Sequence, residues 1–239
     1  MKPNISMFFP AYNEEESVVE LVRNAESVLK EVAGKYEIII VVYEGSTDGT
    51  IGIVKGLSKK DKRIRLVIQP LREKGVGWAI KMGFDAAKYE YIFYTDSDNQ
   101  FDLREFKRFL PYIEDYGVIA GYRINRQDPF LRIVTSKIYN FIIRSVFGAK
   151  ERDVDCAFRL VNKKVVDKVS LVCMLGLGTT ELLVKARKFG FRIKEIGVHH
   201  FPRRKGSSVF ESKGVSLPRV GVVLDLLREM KRLWKDLHR

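Results

Sequence analysis

Five short runs rich in β-branched and aromatic residues, Ile5–Phe9, Tyr36–Val42, Ile64–Ile68, Tyr91–Thr95 and Val118–Ala120, alternate with longer amphipathic stretches. Strands separated by helical patterns rather than tight turns form βαβ units. Their right-handed crossovers build a mainly parallel sheet with helices on its faces. The pattern therefore predicts an α/β, Rossmann-like fold, in which ligands sit beyond the carboxyl ends of the strands. Three polar segments fall at those ends: Pro10-Ala-Tyr-Asn-Glu14, Tyr43-Glu-Gly-Ser-Thr-Asp-Gly-Thr50 and Asp96-Ser-Asp-Asn-Gln100. They converge on one rim.

The chain of 239 residues is long enough to bury one sizeable core. No uninterrupted apolar run approaches the roughly 20 residues that span a bilayer, and Met1–Ile5 moves straight into a strand without the apolar region of a secretory signal. The expectation is a cytoplasmic protein, peripheral on a membrane, with a single domain over residues 1–212 and a basic amphipathic helix over 213–239. Cys156 and Cys173 lack metal-ligand spacing and read as reduced, structural thiols. The net charge of +13 calls for an anionic partner, whether nucleotide phosphate, lipid phosphate, membrane surface or nucleic acid. Nucleic acid is set aside because no platform of interleaved basic and aromatic residues accompanies the charge. From His199 to Arg239 ten Lys/Arg stand against four Asp/Glu, so the basic excess leans toward the C-terminal end.

Asp96 and Asp98 place two hard oxygen donors two residues apart at the end of an apolar strand, which suits a divalent metal that neutralises a departing diphosphate. Taken alone, the pair fits an ordinary turn equally well. Asp102 reads as a cap for the helical stretch Leu103–Tyr112, and Asn13 as a cap for the helix after the first strand. Gly45–Thr50 reads as a tight turn leading into a capped helix. Lys74-Gly-Val-Gly77 precedes the helical run Trp78–Ala87, so its amides and lysine can face phosphate, though a lone GxG is weak support.

Taken in order, these segments resemble the family 2 inverting glycosyltransferases of GT-A fold, and within them the dolichol-phosphate mannose synthase-like and polyprenyl-phosphate glycosyltransferase group. The likeness also rests on Gly121-Tyr-Arg123, Asp155-Cys-Ala-Phe-Arg159, Glu181 and Arg203-Arg-Lys-Gly-Ser-Ser208, and it runs from about Ile5 to Ser208. It implies a nucleotide-sugar donor held by Pro10, Tyr12, Glu14, Glu44, Lys74, Asp96 and Arg123. It also implies Mg²⁺ or Mn²⁺ on Asp96, Asp98 and Gln100, and Arg123 and Arg203 facing phosphate, Arg203 from a loop that closes over the donor. One departure matters: where relatives carry two aspartates before the Gly-Ser of the second loop, this chain has Tyr43 and Glu44. That puts the donor base, and activity itself, in question. Glu195, near the end of a late strand Phe191–Ile196, and His199 and His200, which follow it, are assigned structural roles.

In an inverting displacement the acceptor oxygen attacks opposite the departing diphosphate. A hydroxyl acceptor needs a base, for which Glu181 and Asp155 are the candidates, whereas a lipid phosphate is already ionised and needs cations to place it. Two helical patterns bear on that choice. Phe130–Phe147 sets Arg132, Ser136, Asn140 and Arg144 four apart beside a wide apolar surface, which suits either lipid or burial on most sides. Leu217–Leu237 gathers Val220, Val223, Leu224, Leu227, Met230, Trp234 and Leu237 opposite Arg228, Arg232, Lys235 and Arg239, as in an interfacial membrane helix or one docked on protein. Sugar transfer to a polyprenyl phosphate at the cytoplasmic membrane face is the leading expectation. Transfer to a soluble or glycan hydroxyl, and an inactive nucleotide-binding or membrane-associated scaffold, are the alternatives.

Overall fold

A computed structural model describes residues 1–125, 130–202, 211–212, 215–218 and 220–238. The first half follows the expected alternation: β1 (Ile5–Ala11), α1 (Val18–Val32), β2 (Tyr36–Tyr43), α2 (Thr50–Lys60), β3 (Ile64–Gln69), α3 (Val76–Ala86) and β4 (Tyr91–Tyr94). The stretch expected as a helix after Asp102 forms two 3₁₀ segments, Leu103–Arg108 and Leu110–Tyr112, and the Asp102 carboxylate does cap the first by accepting from the Arg104 amide at 3.0 Å. The second half adds β5 (Val118–Ile124), α4 (Phe130–Phe147), β6 (Arg159–Asn162), α5 (Lys163–Lys168), α6 (Gly178–Lys188) and β7 (Ile193–His199). It closes with a small hairpin, β8 (Glu211–Ser212) and β9 (Val215–Pro218), and α7 (Val220–Leu237).

The main sheet runs β3-β2-β1-β4-β6-β5-β7. All its pairings are parallel except those of β6, which lies antiparallel between β4 and β5. Because β6 alone is reversed, the carboxyl ends of β1, β2, β4, β5 and β7 share one rim, and β6 starts there. The chain entering β6, with Asp153 and Asp155, is thus brought to the rim from the opposite direction.

β2 reads Tyr-Glu-Ile-Ile-Ile-Val-Val-Tyr and is buried on both faces, as a strand covered by helices on either side must be. One face packs on α1 and the 3₁₀ segments through Phe93, Phe106, Phe109 and Phe158. Phe93 meets both Phe106 and Phe158 edge-to-face at 4.7 and 4.6 Å. The other face packs on α3, α6 and α7 through Phe8, Ile80, Leu183 and Leu233. Each such side chain, withdrawn fully from water, contributes roughly 2 kcal/mol.

Arg159, the first residue of β6, is fully buried. It donates to the carbonyls of Cys156 and Val154 at 2.9 and 2.6 Å and to that of Thr179. These bonds pin the 154–156 segment and the start of α6 behind the rim. Cys156 and Cys173 are buried free thiols, as expected.

Candidate functional site

The first two rim loops are stitched together. Asn13 adopts a left-handed φ of 54°, its Oδ1 accepts from the Thr47 amide at 2.8 Å and its Nδ2 donates to Thr47 Oγ1 at 3.3 Å. The expected helix cap at Asn13 is therefore replaced by a cross-loop bridge, and α1 begins only after Ser17. Asp48 accepts from the Thr50 and Glu15 amides, both at 3.0 Å, while the Glu14 amide donates to Thr50 Oγ1 at 2.8 Å. Burial works against ionisation of Asp48, but these bonds and that from the Thr50 hydroxyl outweigh it and hold the carboxyl below its ordinary range. Pro10 lies within β1, and the exposed Tyr12 ring leans on Tyr43 with centroids 5.8 Å apart. Glu14 accepts from Ser17 Oγ at 2.5 Å. At the positions that distinguish this chain, Tyr43 donates to the Leu71 carbonyl at 3.2 Å and Glu44 accepts from the Leu71 amide at 3.0 Å, so both grip the turn after β3.

Beyond β4, Asp96 is exposed and Asp98 half-buried, on either side of a buried Ser97. Two carboxylates standing out from a strand end match a hard divalent cation that keeps positions open for phosphate oxygens. Gln100 commits its side-chain nitrogen elsewhere. Its side chain is buried and donates to the Phe201 carbonyl at 2.9 Å, and its own carbonyl accepts from the Phe201 amide at 2.8 Å. With the Phe101–His200 bridge, this zips the aspartate loop to the chain leaving β7. His200 packs its ring on Phe101 and His199 bonds Glu105 at 2.9 Å, structural positions for both. Glu195 accepts from the Arg152 amide at 2.7 Å, and burial pushes its carboxyl up. Arg203, Arg204 and Lys205 lie outside the described residues.

Two expected roles need revision. The Arg123 side chain, near the end of β5, is largely covered and forked onto Asp153, with Nε–Oδ2 at 2.7 Å and Nη2–Oδ1 at 2.8 Å. Asp155 lies 3.7 Å away. Burial disfavours its charge, but the Asp153 carboxylate more than compensates and the guanidinium stays protonated. Its Nε and Nη2 donors are thus directed at protein. Glu181 is also fully buried, accepting from the Val172 and Cys173 amides and pairing with Lys185, so it is shut away from any acceptor hydroxyl. Asp155 remains exposed.

Gly75 and Gly77 are explained by close approach to protein: a Cβ on either would lie within 2.4 Å of the Met174 or Cys173 carbonyl oxygen. Lys74 is exposed. Asp153, the partner of Arg123, escaped the sequence reading. Its only signal was the two-residue spacing to Asp155.

A cavity of about 410 Å³ opens beside Arg123, between the end of β5 and α4, and its lining includes Lys137, Asn140, Phe141, Arg144 and Arg152. Asn140 is buried and accepts from the Val154 amide at 2.9 Å. Arg144 reaches back to the carbonyls of Glu151 and Arg152. The side chain of Arg132 is outside the described residues. α4 is not buried on most sides: Phe130, Ile138, Phe141, Ile142 and Val146 face solvent.

The model of the family described as Glycosyl transferase family 2 matches residues 6–170. An undecaprenyl-phosphate 4-deoxy-4-formamido-L-arabinose transferase from Pseudomonas fluorescens strain SBW25 is 30% identical over 224 residues, covering 93% of this chain and 63% of that one. Its counterpart from strain Pf-5 is 28% identical, covering 86% and 60%. The chain thus spans about three fifths of the length of these curated relatives. Among solved structures, glucosyl-3-phosphoglycerate synthase from Mycobacterium tuberculosis, in complex with Mn²⁺, UDP and phosphoglyceric acid, superposes with a TM-score of 0.70 at 14% identity. That match covers 95% of this chain and 78% of the synthase. The same enzyme with Mn²⁺, UDP-glucose and phosphoglyceric acid gives 0.68 at 18% identity, covering 96% and 80%. At such identities the likeness establishes the GT-A fold alone.

Proposed function

Because the chain belongs to glycosyl transferase family 2, we propose that it moves a sugar from a nucleotide diphosphate donor to a polyprenyl phosphate, at the cytoplasmic face of a membrane. The observation that carries the acceptor is the cavity of about 410 Å³ beside the rim, basic through Lys137 and Arg152 and bordered by the apolar outer face of α4. A phosphate on an isoprenoid tail needs that combination, cations for its head and an apolar surface for its chain. The names of the two Pseudomonas relatives, undecaprenyl-phosphate transferases, support the same acceptor class.

Asp96 and Asp98 would hold Mg²⁺ or Mn²⁺, which when bound neutralises charge on the departing diphosphate. Solved relatives of the same fold were crystallised with Mn²⁺, in support of such a cofactor. Tyr12, Glu14, Glu44 and Lys74 stand on the loops that would take the nucleotide, and the Asn13–Thr47 and Asp48–Glu15 bonds keep those loops in place before the donor arrives. Arg203 would stabilise phosphate charge from the segment after Phe201. Asp153 would fix Arg123 at the cavity wall, where the pair shapes the pocket and leaves the positive charge to Lys137 and Arg152. A hydroxyl acceptor is the second reading, favoured by the exposure of Asp155, the carboxylate that would act as its base.

The membrane half of the proposal rests on two helices. α7 packs Leu233, Met230 and Leu237 on the core, yet leaves Val220, Val223, Leu224, Leu227 and Trp234 exposed beside basic residues. The two arrangements compatible with its sequence, docked and interfacial, are thus compatible with each other. Among the described residues no helix is long and apolar enough to cross a membrane.

The donor half is tested by thermal denaturation with a panel of nucleoside diphosphates, each with and without Mn²⁺ or Mg²⁺, since a ligand that binds only the native state raises its stability. A metal-dependent rise in Tm with one base is expected. No rise with any of them would contradict donor binding.

A further inference from the structure

We propose that Glu229, on the C-terminal helix, is a positioning residue for the donor: through the 172–177 segment it sets the Lys74–Gly77 turn. This rests on the reading above that places that turn at the nucleotide. Glu229 is buried, and its carboxylate accepts three consecutive amides, Leu175 at 2.7 Å and Gly176 and Leu177 at 2.9 Å. The preceding amides, Val172 and Cys173, are taken by Glu181 of α6. Two buried carboxylates from different helices therefore clamp one short irregular segment. The Met174 carbonyl at its centre accepts from the Trp78 amide, in the first turn of α3, at 3.2 Å.

The same backbone lies where a Cβ on Gly75 or Gly77 would be, and Gly75 has a φ of 128°. On its other side the turn is held by Gln69, at the end of β3, which donates to the Gly75 carbonyl at 2.8 Å and to that of Glu73. Lys74–Gly77 is thus wedged between the end of β3 and a segment whose geometry depends on α7. Further contacts converge there: Arg232 donates to the Val172 carbonyl at 3.2 Å, and Asp236 pairs at 2.7 Å with Lys185, the partner of Glu181.

The segment has no regular secondary structure of its own to satisfy its amides. Six successive non-helical positions, five of whose amides end on two carboxylate anchors, can take a single conformation only while both anchors accept. Removing one acceptor releases the 174–177 backbone. The close contact with Gly75 and Gly77 then no longer defines the turn that presents Lys74.

Glu229→Gln tests this with little change of shape, because the amide keeps one acceptor and turns its NH₂ toward the clustered N–H donors. Three quantities are read for the full chain, Glu229→Gln, Glu229→Asp and the surface control Lys231→Ala. These are amide hydrogen exchange across 172–178 and 76–80, the Kd of the nucleoside diphosphate that most stabilises the wild type, and the donor KM and kcat. In Glu229→Gln, exchange should quicken in both segments, and Kd and donor KM should rise about tenfold with kcat changed less than about twofold. Glu229→Asp should recover part of the loss and the control should behave as wild type. Faster exchange confined to 172–178, with 76–80 and Kd unchanged, would overturn the proposal by leaving Glu229 a purely local anchor. So would a fall in kcat alone. If the wild type binds no nucleoside diphosphate, the donor assignment fails on its own, and exchange at 76–80 still decides whether Glu229 sets the turn.

Discussion

Asp98 accepts from the Gln100 amide at 3.1 Å through one carboxylate oxygen, which shapes the loop that offers Asp96 and Asp98 to the rim. Asparagine keeps that acceptor and removes the charge. Asp98→Asn is therefore expected to keep its Tm while losing metal-dependent turnover by about a hundredfold, the scale of a lost metal-stabilised charge. Steady-state assays across a Mn²⁺ titration check it, and undiminished turnover at limiting metal would contradict the assignment. Burial pushes the Cys156 thiol up to about 12, and Cys173 is raised for the same reason with Glu181 adding to it. At pH 8 the thiolate of Cys156 is then roughly one part in ten thousand, so a disulfide reagent should label neither cysteine until denaturant is added. The aspartate pair was legible because its spacing and place at a strand end are local facts. The true settings of Arg123 and Glu181 were not. Asp153 lies 30 residues from Arg123, and the buried amides that occupy Glu181 belong to a segment with no pattern of its own.

At the scale of elements, loop one and loop two depend on Asn13 for their register. Asn13→Ala would remove two hydrogen bonds and place a residue that resists left-handed φ at 54°. A loss of about 1–2 kcal/mol is expected in denaturant unfolding, with weaker nucleotide binding. α7 lends itself to a separation of faces. Leu233→Ala empties a fully buried site and should cost about 2–4 kcal/mol without changing vesicle binding by the protein that remains folded. Leu227→Gln with Trp234→Ala should do the reverse, leaving Tm within a degree or two while reducing sedimentation with anionic vesicles, more so as salt rises. Sedimentation of both variants beside the wild type distinguishes the faces, and undiminished vesicle binding by the double variant would remove α7 from the lipid surface. The amphipathic period revealed that α7 has an apolar side. Period alone does not say that the side is broad enough to be split between core and solvent, because that depends on where the helix lands.

Across the whole molecule, the β1-to-β5 half was legible because hydrophobic runs and helical patterns alternate there without interruption. β6 was missed: it is four residues long, starts with a buried arginine and runs against its neighbours. Its reversal is what brings Asp153 and Asp155 to the rim and closes the cavity wall, so the part of the fold least visible in the sequence is the part that shapes the proposed acceptor side. The central claim is sugar transfer from a nucleotide diphosphate donor to a polyprenyl phosphate. Its most direct test incubates the chain with radiolabelled nucleotide sugars, polyprenyl phosphate in vesicles and Mn²⁺ or Mg²⁺, and follows label into the organic phase. Label is expected in the lipid, dependent on both the metal and the lipid phosphate. Label that appears only on a water-soluble hydroxyl acceptor, with none in the lipid, would contradict it.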